Sequence, residues 1–166
     1  MKKKIVLTIL ILLVLSICCA CVKEPPKEII EKAINIKIKG ADVEKHINKA
    51  WVGDGIDYIV LKKIDSGFLE IIKNSSEWSE SPSSIVKAIL YGGEYQGEWT
   101  GGPMLMDDND KVLIPKIKHA YYYYKNRFEY TDNDDELTEL EKKTKNFTVA
   151  VYDIDNKKLY YCEFDS

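Results

Sequence analysis

Four consecutive tyrosines, Tyr121 to Tyr124, are the residues of this 166-residue chain best suited to binding chemistry. In an extended strand Tyr121 and Tyr123 point to one face and Tyr122 and Tyr124 to the other. One pair then packs against helices while the other lies on an open face, joined by Tyr130, Tyr152, Tyr160 and Tyr161 of neighbouring strands. Such a platform stacks on sugar rings or engages protein partners, where Tyr is enriched. The plainer reading is a cross-strand ladder of tyrosines with no ligand. A second candidate is the segment from Gly92 to Gly102, in which glycine hinges surround Tyr95 and Trp99. It lacks the strand-to-helix setting of a phosphate-cradling loop, so it reads as a connection or a binding loop with an aromatic anchor. The ligand-binding candidates are therefore Tyr121, Tyr123, Tyr95 and Trp99.

Catalytic and metal patterns are scarce. His46 and His119 are the only histidines, which excludes a multi-histidine metal site. Asp42 and His46 stand one helical turn apart, a spacing that orients an imidazole, yet no Ser or Cys is tied to them. Beyond the first 21 residues there is no G-x-S-x-G, H-E-x-x-H or C-x-x-C. Paired carboxylates of the glycosidase kind stay open, because acidic residues are abundant and their spacing in space is unknown. The acidic runs Asp107–Asp110 and Asp132–Glu136 invite a calcium reading. Counted from Asp107 or from Asp132, the sixth and twelfth positions are Val112 and Lys118 or Leu137 and Lys143, and neither pair fits an EF-hand loop. No catalytic residue, metal or cofactor is assigned.

The N-terminus carries a different kind of chemistry. Lys2, Lys3 and Lys4 precede an apolar run from Ile5 to Leu15, broken only by Thr8, and then Ser16-Ile17-Cys18-Cys19-Ala20-Cys21. A basic start, an apolar core and a small residue beside a cysteine form an export signal, with the lysines retained on the cytoplasmic side. The segment resembles the lipobox of bacterial prolipoproteins, in which a small residue precedes the cysteine that receives diacylglycerol. The resemblance covers the leader alone. It implies Cys21 as the lipidated residue, with Cys18 as second choice: position 18 holds Cys where the family usually has Leu, while Ile17 is bulky for a residue before the modified cysteine. An uncut anchor also fits, since Ile5 to Val22 sits near the ~18–20 residues that cross a bilayer core. So does cleavage after Ala20 with release. A diacylated cysteine brings more than one chain, and a single chain gives only marginal membrane binding. The implied place is the extracytoplasmic face of a bacterial cell membrane.

Composition narrows the class. Once Lys2, Lys3 and Lys4 leave, 21 basic residues face 27 acidic ones, a net charge of −6. No basic patch stands out, which argues against nucleic acid as a partner. Arg127 is the single arginine, and with Cys21 lipidated Cys162 is the one remaining thiol, so no internal disulfide holds the fold. Cys162 lies in a strand-like run and reads as a small buried hydrophobe.

The elements that must position these residues form one α+β domain. The expected layout is a signal peptide at 1–20, a lipidated cysteine with a short proline-containing tether at 21–27, and a globular unit at 28–166. The pattern predicts a short helix over Lys27–Asn35 and a strand through the alternating Ile34, Ile36 and Ile38. Asp42 to Trp51 is expected to be helical, with Val43, Ile47, Ala50 and Trp51 on one face. Gly53-Asp54-Gly55 is a turn and Asp57–Ile64 a strand. Phe68–Lys73 is ambiguous between helix and strand. Asn74–Ser84 is a polar loop, and Pro82-Ser83-Ser84 opens a helix that closes at Gly92. Gly93–Asp110 reads as a long loop with a short strand at Pro103–Met106. Val112–Ile117 and Ala120–Tyr130 are strand material, and Thr131–Lys145 is a charged loop or exposed helix. Two alternating runs around Asp153–Lys157 predict a C-terminal β-hairpin. The expected architecture is an antiparallel sheet with two or three helices packed on one face.

Overall fold

The computed structural model describes residues 24–51, 54–95, 98–99, 101–127 and 145–166. In chain order the elements are α1 (Pro26–Ile34), β1 (Asp42–Trp51), β2 (Asp54–Lys62), α2 (Gly67–Lys73), β3 (Trp78–Ser79), α3 (Ser84–Tyr91), β4 (Glu94–Tyr95), β5 (Glu98–Trp99), β6 (Ala120–Asn126), β7 (Phe147–Asp153) and β8 (Lys158–Asp165). Six strands form one antiparallel sheet in the order β1-β2-β8-β7-β6-β3, and β4 and β5 make a separate small hairpin. The class is α+β, and the C-terminal hairpin forms as its alternation predicts, with Asp153 paired to Lys158.

Central strand β7 is buried along its whole length, because both sheet faces are covered. On one face Ile59, Leu61, Tyr121, Tyr123, Ala150 and Tyr161 meet Ile30 and Ile34 of α1 and Phe68 and Ile72 of α2. On the other, Tyr58, Val60, Tyr122, Val149, Val151 and Cys162 meet Ile85, Val86, Ile89 and Leu90 of α3. Leu105, Leu113 and Ile114, from the connection between β5 and β6, complete that second layer. Two helices thus share one face as expected, and the third closes the opposite one. No open tyrosine face is left among the described residues: Tyr121, Tyr122, Tyr123, Tyr152 and Tyr161 are all buried.

Several local expectations are corrected. Asp42–Trp51 is a strand, not a helix; it pairs along its length with β2, from Asp42↔Lys62 to Trp51↔Asp54. A bulge between Val43 and Lys45 shifts the register, so Val43 stands opposite Leu61 and Ile47 opposite Tyr58, whose side chains belong to different faces of the sheet. Of the expected turn Gly53-Asp54-Gly55, Gly53 lies outside the described residues, and Asp54 and Gly55 belong to β2. Ile36 to Lys39 joins no ladder. Helix α1 ends at Asn35 in the left-handed conformation, and the Ile38 N–H then donates to the Glu31 carboxylate (2.8 Å) instead of to a strand. Val112–Ile117 is irregular apart from one Met106↔Val112 bridge, which is also all that forms of the expected strand at Pro103–Met106. Phe68–Lys73 is helical, within α2. The expectations for Phe128–Tyr130 and Thr131–Thr144 fall outside the described residues.

Helix α3 shows why some boundaries were readable. The Ser83 hydroxyl caps it, accepting from the Val86 N–H (3.4 Å). Gly92 ends it at φ 70°, where an added Cβ would meet the Gly101 carbonyl oxygen at 2.4 Å.

Candidate functional site at the β3 edge

The short edge strand β3 carries the most developed polar surface of the described residues. Trp78 fixes it. Its ring is buried between Phe68 (centroids 6.0 Å apart, edge-on) and Tyr123 (5.4 Å), and its backbone pairs with Tyr123 while Ser79 pairs with Tyr122. Alternation then sends Glu80 to the α1–α2 face and Ser79 and Ser81 to the α3 face. Each face holds a recess beside this edge.

The recess on the α1–α2 side, about 400 Å³, is lined by Glu80, Lys118, His119, Ala120, Ile154 and Asp155. The Tyr121 hydroxyl donates to Glu80 Oε1 at 2.5 Å, so a phenol rooted in the core holds the carboxylate in place. Accepting that bond, Glu80 raises the Tyr121 phenol above its ordinary pKa, and burial adds to the shift. Across the recess His119 Nδ1 lies 3.0 Å from Asp155 Oδ2 and 3.2 Å from Oδ1. An ionised carboxylate only accepts, so Nδ1 carries the proton in the neutral ring and Nε2 presents a lone pair. Both elements are held locally. The Ile154 N–H donates to the His119 carbonyl (3.1 Å), and Asp153 clamps the turn by accepting from the Asn156 backbone N–H (3.0 Å) and side-chain amide (2.8 Å). The His119 and Asp155 side chains are 52% and 58% exposed, so their pairing contributes little to stability. The recess is rich in acceptors, with the Lys118 ammonium as its cationic donor, and its lining holds no serine, threonine or cysteine nucleophile.

The recess on the α3 side, about 360 Å³, has the opposite character. Ser79, Ser81 and Ser83 line it together with Tyr122 and Tyr124, joined by Glu77 and the apolar Val86. The Ser79 and Ser83 hydroxyl oxygens each accept a backbone N–H, from Ser81 (3.2 Å) and Val86 (3.4 Å), leaving their O–H groups to donate.

The sequence-selected residues fare unevenly. Tyr121 and Tyr123 are brought together on one face but buried, at 6% and 3% exposure, and so form no stacking platform. The cause is α1 and α2, which lie over that face; the Tyr123 hydroxyl even donates to the Ala33 carbonyl of α1 (3.2 Å). Tyr95 is half-buried against the α3-side core. Trp99 enters β5 opposite Glu94, and its side chain lies outside the described part of the structure. Cys21 and Cys18 precede the first described residue. His46 does not work with Asp42; it meets Asp57 across the hairpin at 2.8 Å, while Asp42 pairs with Lys63. Asp107 folds back on its own turn, accepting from the Asn109 and Lys111 N–H groups, which hold its carboxyl below the usual range. Among the described residues no three His, Cys, Asp or Glu side chains are placed to hold a metal ion. Cys162 is buried, and burial pushes its thiol pKa up, away from reactivity.

Sequence reading passed over Glu80 and Asp155 and took His119 only as one of two histidines, too few for a metal site. The partners stand 41 and 36 residues apart, and no local spacing joins them. No helix among the described residues is long and apolar enough to cross a membrane. Compared with protein-family models, curated proteins and solved structures, the chain matches none.

Proposed function

We propose that this chain is a lipoprotein held at Cys21 on the extracytoplasmic face of a bacterial cell membrane. Its domain acts by binding an envelope protein or glycan, not by catalysis. The leader ending in Ala20-Cys21 supports the anchor. The observation that carries the binding reading is the preformed β3 edge, where a buried phenol fixes Glu80 and a clamped turn fixes Asp155 beside His119. Sites whose polar groups are set before the ligand arrives lose less free energy to ordering. A structural role through a broad apolar patch has little support. Among the described residues the large hydrophobics left exposed are Val43 and Ile71.

Two measurements test the proposal. The first is the intact mass of protein purified from its native membrane beside a Cys21→Ala variant. A fatty-acylated form beginning at Cys21, lost in the variant, is expected; an uncut or unmodified chain overturns the anchor. The second is co-sedimentation of the full-length protein, in detergent, with purified cell-wall glycan. Retention that falls in Glu80→Gln supports the edge, and retention indifferent to that change removes it. A hydrolase reading keeps one foothold, because Glu80 and Asp155 line a single recess with His119. Release of reducing sugar from the same glycan, abolished by Glu80→Gln, would favour it over simple binding.

A further inference from the structure

We infer that the α3-side recess at the β3 edge is a subsite for a secondary amide bearing a methyl group, the N-acetyl group of an amino sugar. The inference rests on reading the β3 edge as the binding surface, and it names the chemistry that one half of that edge selects.

Three features converge on an amide. Donors come first. Tyr122 is 8% exposed and lines the recess, with the Tyr91 hydroxyl as its polar neighbour. That hydroxyl is screened from solvent and donates to the Tyr122 oxygen, which leaves the Tyr122 O–H to donate in turn. A phenol buried this far ordinarily has an acceptor. The Ser79 and Ser83 hydroxyls, with their oxygens already accepting from backbone, add donors on the same wall. These groups match a carbonyl oxygen.

One acceptor and one apolar contact complete the match. Glu77 lines the same recess. Its carboxylate repels an anion, so the donors are not arranged for phosphate or a free acid. It accepts readily from an amide N–H. Val86, at 2% exposure, gives an apolar wall on which a methyl group can rest. Carbonyl, N–H and methyl are the three parts of an acetamido group. The recess volume of about 360 Å³ lies within the usual span for small-ligand sites. Neither a free amine nor an unsubstituted sugar hydroxyl offers all three contacts.

The test uses full-length protein in detergent micelles, followed by amide NMR spectra during addition of N-acetylglucosamine, glucosamine or N-acetylalanine methylamide. N-acetylglucosamine is expected to give saturable shifts at Ser79, Ser83 and Val86. Tyr122→Phe removes only a hydroxyl and should weaken that binding about fivefold, the worth of one neutral hydrogen bond. Glu77→Ala should weaken it to a similar extent, whereas an anion site would tighten. Shifts equal for glucosamine and N-acetylglucosamine, or affinity unchanged in both variants, overturn the amide assignment while leaving the edge as a binding surface. Shifts from the acetylated amino-acid amide as strong as those from the sugar overturn the glycan source. If none of the three probes moves any β3-edge resonance, the assignment and the underlying reading of the edge fall together.

Discussion

The two recesses beside β3 are neighbours in space and opposites in chemistry. On the α1–α2 side the wall is built from acceptors: the carboxylates of Glu80 and Asp155 and the imidazole of His119. On the α3 side it is built mainly from hydroxyl donors, with Glu77 as its one carboxylate. A few consecutive residues feed both, because alternation along an extended chain deals Glu80 to one face and Ser79 and Ser81 to the other. Mixed polarity along one edge need not mean a mixed site. Here it sorts by face, and each face offers a different half of hydrogen-bonding chemistry.

Breaking the shared wall should have the largest effect. Trp78→Ala empties a space between Phe68 and Tyr123 and is expected to cost about 3–5 kcal/mol, seen in denaturant unfolding, with loss of binding in both recesses. Retained binding in either recess would show that β3 does not organise the pair. A smaller change separates the faces. Glu31→Ala removes the acceptor of the buried Ile38 N–H and should cost about 1–3 kcal/mol through the α1 side alone. Burial works against ionisation of Glu31, but bonds from Lys37 and the Ile38 N–H outweigh it and hold its pKa below the usual range. Its contribution is therefore present above the ordinary carboxylate pKa and is lost as pH falls from there through the lowered folded value. The variant should accordingly show a weaker acid dependence in its unfolding midpoint. Ser83→Ala removes the α3 cap, costs about 1 kcal/mol and disturbs only the donor-rich side. Glu80→Gln should leave the unfolding midpoint unchanged while weakening ligands that bring donors to the other recess, and N-acetylglucosamine shifts at Ser83 should survive it. If those shifts vanish too, the two recesses act as one site.

Where information was local, the sequence was readable. Ser83 three residues before Val86 and Gly92 at a tight close delimit α3, and two alternating runs around Asp153–Lys157 specify the C-terminal hairpin. Strand β1 was misread because Val43, Ile47, Ala50 and Trp51 stand at helical intervals. What decides its state is the partner strand, from which β2 offers a residue-by-residue ladder. Ile36 and Ile38 alternate like a strand yet find no neighbour to pair with, since Glu31 takes the Ile38 N–H first. The tyrosine run was placed correctly in a strand, but no local pattern reveals that helices cover both faces. The site itself is assembled from Glu80 with Tyr121 and His119 with Asp155, pairs created only by the strand order β7-β6-β3. Chemistry made by topology leaves no periodic trace.

Helix α1 begins at Pro26, five positions beyond Cys21, and Ile30 and Ile34 seat it in the core. The ion pair of Lys32 with Glu24 (2.5 Å) ties down even a residue two positions before it. At about 3.3–3.6 Å per extended residue, a chain anchored at Cys21 gives α1 a leash of no more than roughly 18 Å. A domain of this size is roughly 40 Å across, more than twice that length. Unwinding α1 to gain slack would expose Ile30 and Ile34. Anchored at Cys21 as proposed, the domain would patrol no volume of its own: it would rest against the lipid headgroups, and a ligand would have to come within its height of the bilayer.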